Sequence, residues 1–412
     1  MKREVVVTGL SIWSPFGPGT ASFWEGLKSP QVDLQPITRF NVEHKIFRSR
    51  TAAGIVEIQP DPNGDAEESI QKITKWVLSD LCANAGLDSS RPDDVTPYEI
   101  AVCVGSSQST TGMFRKYLRS PFGYLAVSKH HEERNWLSSG QLLAQIANQV
   151  GARGPALMIS TACASSTSSI GIASNMIRTG RARRAFAGGI GYYSDITFTG
   201  FNILRLTCTN GCRPFDVKRD GLMLGDSVAF VLLEDGEIAE KRGVKPIVRI
   251  TGYASGNEAY HATSPDPDGS AEFRVMWNAL GRNPEMLAKL DYINAHGTGT
   301  LVNDKTELIA IRRLLEMREK PAPVAISSTK GHHGHALGAA GAMEFIATVL
   351  AIQNQIAPCT ARLMNQERGF EDLDLVMGEA RPCRIRLALS NSFAFGGNVA
   401  AIALESAMEV PA

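Results

Sequence analysis

Residues 156–170 read Ala-Leu-Met-Ile-Ser-Thr-Ala-Cys-Ala-Ser-Ser-Thr-Ser-Ser-Ile, an apolar stretch that passes directly into a run of small residues. The first part predicts a strand over 156–162, and the second predicts a tightly packed helix. Cys163 stands at the junction, at the positive end of the helix dipole, which favours the thiolate that attacks acyl groups. Cys163 is therefore a candidate nucleophile, and the alternative is a buried structural cysteine.

The same alternation of strand and helix continues along the chain. Apolar and β-branched runs predict strands at 4–10, 100–105, 156–162, 184–189, 228–234, 248–253, 291–295, 324–328 and 387–393, and helical patterns lie between several of them, as at 141–150 and 305–319. This alternation predicts α/β layers with helices covering the sheets. A polar stretch at 234–243 separates two halves of similar order, predicted as 1–245 and 246–412.

Composition excludes several functional classes. The 412 residues carry 42 Lys+Arg and 42 Asp+Glu, so the net charge is zero and no chain-wide basic surface attracts nucleic acid. No stretch approaches 18 apolar residues, and the run Val5–Val7 is broken at once by Thr8 and Gly9, so we expect neither a membrane span nor a signal peptide. We expect a cytoplasmic protein. Its seven cysteines, an odd number without a Cys-x-x-Cys pair, indicate reduced thiols.

Three further strand ends open onto small residues. Tyr292-Ile-Asn-Ala-His-Gly-Thr-Gly-Thr300 presents His296, and Ser327-Ser-Thr-Lys-Gly-His-His-Gly-His-Ala-Leu-Gly-Ala-Ala-Gly341 presents His335. Asn391-Ser-Phe-Ala-Phe-Gly-Gly397 provides glycines that allow backbone amides to approach a reacting oxygen. The histidines at 332, 333 and 335 resemble a metal-binding tract, but the ten residues before them contain no cysteine or carboxylate, so no metal is predicted.

Together these motifs resemble the β-ketoacyl synthases, the decarboxylating condensing enzymes of fatty-acid and polyketide assembly. The resemblance covers nearly the whole chain and is carried, in order, by Thr161-Ala-Cys163, Arg213-Pro-Phe-Asp216, Arg219-Asp-Gly221, Gly225-Asp226, Ala259-Tyr-His-Ala-Thr-Ser-Pro265, His296-Gly-Thr298, Ser328-Thr-Lys330, Gly334-His335, Gly338-Ala-Ala-Gly341, Asn391-Ser-Phe393 and Phe395-Gly-Gly397. It implies a thiolase-like, five-layered α-β-α-β-α fold made of two similar halves. It also implies a Cys163, His296 and His335 triad supported by Lys330, and a dimer.

The resemblance implies an acyltransferase with two half-reactions. An acyl group moves from the phosphopantetheine arm of an acyl carrier protein to Cys163, and no cofactor of the enzyme's own is needed. Malonyl-carrier then loses CO₂, and the resulting enolate attacks the acyl thioester. His296 and His335 would donate hydrogen bonds to the enolate oxygen, while backbone N–H groups at Cys163 and Phe395 would hold the tetrahedral oxyanion.

Four other residues are expected near the substrate. Thr298 and Thr300 could bind the malonyl carboxylate or the pantetheine arm, although a plain turn role is an alternative. Glu344 belongs to the family's Gly-Ala-Ala-Gly-x-x-Glu pattern and could act with Lys330, which taken alone is typical of a surface lysine. Gln108 occupies a position where many fatty-acid members place an apolar residue that touches the acyl tail.

The chain departs from the family at three places. Gly331-His-His333 replaces the usual Ser-Met-Thr, Asn398-Val399 replaces Thr-Asn, and Gln108 needs a partner for its amide if it is buried. These changes alter the pocket and remove no catalytic group. We therefore expect an unusual acyl chain, short, polar, unsaturated or aryl-primed, in a specialised polyketide, polyene or fatty-acid pathway.

Partners and competing functions follow from the same residues. An acidic carrier protein could dock on Lys45, Arg48 and Arg50, or on the second basic group, Arg115, Lys116 and Arg119; solvated surface charge is the alternative for each group. A thiolase would need a second cysteine in the C-terminal turn, where the chain has Phe393 and Phe395. A non-catalytic chain-length factor would lack Cys163. The chain could be a homodimer or the active subunit of a heterodimer with such a factor.

Overall fold

The computed structural model describes residues 3–30, 32, 34–58, 66–87, 95–107, 139–319 and 323–408. Its main strands are β1 (Val5–Ser14), β2 (Ile100–Gly105), β3 (Ala156–Ile159), β4 (Arg184–Gly191), β5 (Ser227–Asp235), β6 (Val248–Asn257), β7 (Leu290–Asn294), β8 (Ala325–Ser327), β9 (Leu387–Ala394) and β10 (Asn398–Ser406). Each predicted strand is present, with ends shifted by a few residues. β10 was not predicted, although its apolar run is buried along most of its length.

The helices lie between these strands. They are α1 (Thr20–Lys28), α2 (Glu67–Asn84), α3 (Ser139–Gln149), α4 (Ser165–Arg178), α5 (Asp195–Ile203), α6 (Gly236–Lys241), α7 (Ser270–Ala279), α8 (Pro284–Ala288), α9 (Leu301–Leu315), α10 (Lys330–His333) and α11 (Ala340–Asn354). Short 3-10 turns at Ala162–Ala164 and Leu337–Ala339 lead into α4 and α11.

The strands repeat one arrangement twice. The first half has the order β3-β2-β4-β5-β1, and the second has β8-β7-β9-β10-β6. In each half the first three strands are parallel, and the last two run antiparallel to their neighbours. The halves join where Val6 and Val7 of β1 pair with Arg249 and Val248 of β6. The chain therefore contains the same five-stranded topology in two copies.

The two five-stranded halves, joined through β1 and β6, form the first and second sheets, and helices fill the space between them and cover their outer faces. α4 and α11 contribute to a central apolar core together with strands of both halves. α2 and α3 pack on the outer face of the first sheet, and α7 and α9 pack on the outer face of the second. These are the five α-β-α-β-α layers that the family resemblance implies. Because both halves share the central core, they are not independent units, and a boundary at 245/246 stays a prediction.

One helical stretch, Leu337–Asn354, is long and apolar enough to cross a membrane, which the sequence analysis did not anticipate. It is 89% buried inside the fold. Its apolar character is explained by its contacts with both sheets, because a helix enclosed on all sides presents no polar face.

Candidate active site

A cavity of about 270 Å³ leads from the protein surface to Cys163, His296 and His335. These three side chains come from different parts of the chain, yet one sulfur and two ring nitrogens all lie within 4.8 Å of one another. The cavity wall contains apolar side chains such as Phe201, Leu301 and Phe393. The fold therefore places one thiol and two imidazoles at the end of a single, largely apolar passage.

Cys163 sits in the 3-10 turn between β3 and α4, as the sequence predicts. The turn requires a positive φ of 49° at Ala162, a strained backbone conformation for a residue with a side chain. Burial raises the pKa of the Cys163 thiol to about 12, although the nearby Lys330 opposes this shift. Burial therefore opposes the thiolate that the helix terminus favours.

His296 follows β7 and is held on three sides. The carboxylate of Glu307 accepts hydrogen bonds from the backbone N–H groups of His296 (2.8 Å) and Gly297 (2.7 Å). Lys330 Nζ lies 3.0 Å from the ring Nδ1 and donates to the His296 carbonyl oxygen at 2.5 Å. The His296 ring meets the His335 ring edge to face, with centroids 5.4 Å apart.

His335 follows α10 through Gly334, which has a φ of 69°. An added Cβ at Gly334 would lie 2.8 Å from the Leu224 carbonyl oxygen, so glycine is needed for this close approach. The His335 backbone N–H donates to the Met223 carbonyl at 2.7 Å. Its ring Nδ1 accepts a hydrogen bond from the backbone N–H of Leu337 at 3.0 Å.

These contacts determine where the imidazole protons are. Burial and the charge of Lys330 lower the pKa of both His296 and His335 well below the usual 6.5, so both rings are neutral. A neutral imidazole whose Nδ1 accepts a hydrogen bond carries its proton on Nε2. His335 has this form because a backbone N–H can only donate, and an ammonium at Lys330 enforces the same form on His296. Both rings can then donate through Nε2–H.

Lys330 does not line the cavity; it lies fully buried behind His296. Its ammonium is paired with the carboxylate of Glu344, whose pKa is raised to about 7 by burial although Lys330 lowers it. The prediction that Glu344 contacts substrate is wrong, because this side chain is completely buried against Lys330 and is absent from the cavity wall. Lys330 contacts His296, and Glu344 contacts Lys330.

Cys163, His296 and His335 also form a group with the composition of a metal site. A metal-binding histidine usually donates through its second ring nitrogen to an oxygen, which leaves the coordinating nitrogen free. Here the second nitrogens accept hydrogen bonds, so each Nε2 keeps its proton. This arrangement favours hydrogen-bond donation to an oxygen over coordination of a metal ion.

The remaining predicted pocket residues fall into two groups. Thr298, Thr300 and Phe395 line the cavity, with the two threonine hydroxyls 2.9 Å apart and Phe395 stacked on Phe201 at a centroid distance of 5.9 Å. Gln108 lies outside the described residues, so its proposed contact with the acyl tail stays a prediction.

The sequence analysis missed the two carboxylates that shape the loop around His296. Besides Glu307, Asp304 accepts hydrogen bonds from the backbone N–H groups of Phe215 and Gly299. Both acids lie in the first two turns of α9 and are completely buried. Their spacing, three residues apart just after a glycine-rich loop, is the signal that could have revealed them, because backbone donors in such a loop need acceptors.

Comparison with known proteins identifies the family. The profile of the β-ketoacyl synthase N-terminal domain matches residues 2–239, and that of the C-terminal domain matches residues 247–364. The tetracenomycin polyketide synthase ketoacyl synthase alpha subunit of Streptomyces glaucescens is 34% identical, over 96% of this chain and 95% of its own. The 3-oxoacyl-[acyl-carrier-protein] synthase 2 of Coxiella burnetii is also 34% identical, over 96% and 97%.

Two solved structures are similar over nearly the full length. One is a type II polyketide synthase acyl-carrier protein in complex with its ketosynthase bound to the hexaketide; the TM-score is 0.85 at 26% identity, covering 98% of this chain and 100% of the other. The other is the ishigamide ketosynthase/chain length factor, with a TM-score of 0.83 at 27% identity and the same coverage. The chain therefore belongs to the β-ketoacyl synthase family of condensing acyltransferases.

Proposed function

We propose that this chain catalyses the decarboxylative condensation of malonyl-carrier with an acyl group held on Cys163. The observation that carries this proposal is the pair of Nε2–H donors on His296 and His335, which share one buried site with the Cys163 thiol. An enolate oxygen formed by loss of CO₂ needs such preorganised donors in a water-poor cavity.

The first half-reaction loads the enzyme. The Cys163 sulfur attacks the thioester carbon of acyl-carrier, the bond to the carrier sulfur breaks, and the thiol proton ends on the released carrier thiol. The high pKa of Cys163 indicates that this proton leaves as the sulfur attacks and is delivered to the departing carrier sulfur. The products are acyl-Cys163 and the free carrier.

The second half-reaction joins the two units. Malonyl-carrier loses CO₂, and the two C–CO₂ electrons form an enolate whose oxygen accepts from His296 and His335. The enolate carbon attacks the acyl thioester, the bond to Cys163 breaks, and the released thiolate takes up one proton. Lys330 keeps the ring of His296 in its donating form, and the proposed role of Thr298 and Thr300, which line the cavity, is to bind the incoming pantetheine arm or carboxylate.

Mass spectrometry of the intact protein tests this proposal. Incubation with a panel of acyl-carrier thioesters is expected to add one acyl mass to the wild type and nothing to Cys163→Ala. A wild type that forms no adduct with any donor would overturn the proposed reaction. With the adduct formed, release of CO₂ from malonyl-carrier measures the second half-reaction separately.

The proposed pathway is a specialised type II polyketide, polyene or fatty-acid system. This choice rests on relatives named for both polyketide and 3-oxoacyl synthases and on the departures at 331–333, 398–399 and Gln108. Short or unsaturated acyl-carriers are expected to load and elongate faster than saturated C12 to C16 ones. Equal rates of loading and elongation for all of these acyl-carriers would contradict the proposal that the enzyme uses an unusual acyl chain.

The proposed partner is an acidic acyl carrier protein docked at the cavity mouth. Arg48 donates to the carbonyl of Arg205 (2.9 Å) and lies 4.0 Å from Asp220, and both of these residues line the cavity. The neighbouring Ile203 and Leu204 are 67% and 53% exposed, which suits a partner with an apolar contact surface. The first basic group is therefore favoured; the second, at 115–119, lies outside the described residues.

The proposed assembly is a dimer formed along β3, either with a second copy or with a chain-length factor. β3 ends the first sheet, and its Ala156 and Leu157 are exposed, whereas β8 at the opposite edge is buried and Ile326 forms a bridge with Leu375. An apolar, exposed edge strand invites pairing with another chain. Light scattering of the purified chain distinguishes a homodimer from a monomer that needs a partner. We further propose a cytoplasmic location, where carrier proteins and reduced thiols coexist.

A further inference from the structure

The departure from the family at 331–333 lies on α10, the short helix that begins with Lys330 and ends just before Gly334. It introduces His332 and His333, whose side chains are both completely buried. Neither residue belongs to the wall of the cavity that leads to the catalytic thiol. The change at these positions therefore acts inside the fold, on the segment that carries the catalytic His335.

The ring of His333 makes a hydrogen bond at each of its nitrogens. Nδ1 lies 2.8 Å from the carbonyl oxygen of Gly334, and Nε2 lies 2.9 Å from the hydroxyl oxygen of Thr329. Thr329 is the residue directly before α10, and Gly334 is the residue directly after it. One side chain therefore joins the two ends of the helix.

These partners determine which nitrogen of His333 carries the proton. A carbonyl oxygen can only accept a hydrogen bond, so Nδ1 is protonated and donates to Gly334. Burial lowers the pKa of His333 to about 3, so the ring is neutral and its Nε2 accepts from the Thr329 hydroxyl. In His335, by contrast, Nδ1 accepts from the backbone N–H of Leu337. The two histidines therefore carry their protons on different nitrogens.

The bond to Gly334 holds the peptide unit that leads into His335. The carbonyl oxygen of this peptide accepts from His333, and its N–H, which belongs to His335, donates to the Met223 carbonyl at 2.7 Å. A peptide unit is planar, so hydrogen bonds on its two opposite edges fix its rotation. A rotation of this peptide would move the His335 ring relative to the thiol of Cys163.

The surroundings of His333 are apolar and closed. The ring centroid of Phe23, a completely buried residue of α1, lies 5.8 Å from that of His333. Thr329 and Gly334 are buried as well. A buried carbonyl without a donor is costly, so removal of the His333 donor would favour a rotation of the peptide towards another donor.

We propose that His333 is a positioning residue for condensation: its bond to the Gly334 carbonyl holds His335 in the orientation that donates to the enolate oxygen. This inference rests on the proposed function, because it takes from there the role of His335 in decarboxylation. His333 does not line the cavity, so it acts through Gly334 and His335 alone.

The experiment compares variants that keep one of the two hydrogen bonds or neither. His333→Phe keeps a ring against Phe23 and removes both bonds. His333→Asn places its amide near the position of Nδ1 and can still donate to Gly334, whereas His333→Gln places its amide near Nε2 and can still accept from Thr329. The matched control is His332→Met, a change of the neighbouring buried histidine to the residue that is usual in the family.

Two rates are measured for each variant, at a temperature where thermal denaturation shows every variant to be folded. Release of CO₂ from malonyl-carrier reports decarboxylation, and intact mass reports the loading of Cys163. His333→Phe and His333→Gln should each lower the kcat of decarboxylation about tenfold, because His335 is displaced. His333→Asn should recover most of that rate. Loading in all variants, and both rates in His332→Met, should stay close to wild type.

Three results would overturn the proposal. The first is an unchanged decarboxylation rate in His333→Phe, and the second is a His333→Asn variant as slow as His333→Phe. The third is an equal loss in His332→Met, which would show that any change in α10 has this effect. Failure of the proposed function would appear differently, as absence of Cys163 loading in the wild type.

Nitrogen-15 NMR of protein labelled at histidine gives a second readout. Signals of His333 and His335 are assigned by their loss in His333→Asn and His335→Ala. In the wild type at pH 7, His333 should show the Nδ1–H tautomer and His335 the Nε2–H tautomer. His333→Phe should disturb the His335 signals, because Leu337 no longer faces its Nδ1. An Nε2–H tautomer at His333, or unchanged His335 signals in His333→Phe, would contradict the proposal.

Discussion

The two halves of the chain repeat one turn and use it differently. In the first half, the 3-10 turn Ala162–Ala164 leads into α4, and in the second half the turn Leu337–Ala339 leads into α11. The first residue of each turn has a positive φ, 49° at Ala162 and 53° at Leu337. The middle residue is Cys163 in one half and Gly338 in the other.

The space around these two middle residues explains the difference. Cys163 opens onto the cavity, whereas a Cβ added at Gly338 would lie only 2.4 Å from the backbone nitrogen of Ser107. The second turn is therefore packed against the first half and has no room for a side chain. The two turns share a backbone conformation, and packing between the halves leaves room for a side chain only at the first.

The largest expected effect is the loss of the single nucleophile. Cys163→Ala should lower condensation by at least about a thousandfold and abolish the acyl adduct. Adding Gly338→Cys to that variant should restore neither, because the second turn has no cavity in front of it. Acylation of a cysteine at 338 would show that the two turns are functionally equivalent and would break the comparison.

A second prediction concerns the packing of the second turn. Gly338→Ala should lower the free energy of unfolding by about 1–3 kcal/mol, since backbone atoms of Ser106 and Ser107 must move to admit the methyl group. The matched control is Gly200→Ala in α5, where nothing lies within 4 Å of the added carbon. Urea denaturation measures both, and equal midpoints would show that the second turn is not closely packed.

The histidines contributed by the second half should affect one half-reaction selectively. His335→Ala should slow malonyl decarboxylation by about 10²–10³-fold, because one donor to the enolate oxygen is lost. His335→Asn retains an N–H donor and should lose less. Loading of Cys163, measured by intact mass, should change little in either variant; parallel losses of loading and decarboxylation would contradict this division of labour.

The buried ion pair behind His296 should show a non-additive response. Lys330→Met leaves Glu344 buried without its cation and should destabilise the fold by about 3–5 kcal/mol. The double variant Lys330→Met/Glu344→Gln should recover part of that stability but not the decarboxylation rate, because the proton on His296 is no longer fixed. If the stability losses of the single variants Lys330→Met and Glu344→Gln, measured by thermal denaturation, add up to that of the double variant, the two residues are not coupled.

The smallest effect concerns the surface at the cavity mouth. Arg48→Glu should raise KM for acyl-carrier by about tenfold with little change in kcat, and the difference should shrink at high salt. Lys289→Glu, an exposed charge that does not line the cavity, is the control. A KM unaffected by Arg48→Glu would remove the first basic group as a docking site.

The sequence alone determined the layers of the fold and the chemistry of its strand ends. Apolar runs ending in small residues predicted the alternating strands and the positions of Cys163, His296 and His335, because these signals are local in the chain. The sequence did not predict β10. Its Ala-rich run follows β9 directly after a glycine turn, without the helix that separates other strands. In the fold, β10 pairs with β9 on one side and with β6 on the other.

Tertiary structure decided the ionisation state and the supporting contacts. Lys330 has the sequence pattern of a surface residue, and only the tertiary structure encloses it between His296 and Glu344. Likewise, the position of Cys163 at a helix start suggested a thiolate, but burial raises its pKa to about 12. Desolvation and pairing depend on which distant segments meet, and this information exists only once the two halves have packed together.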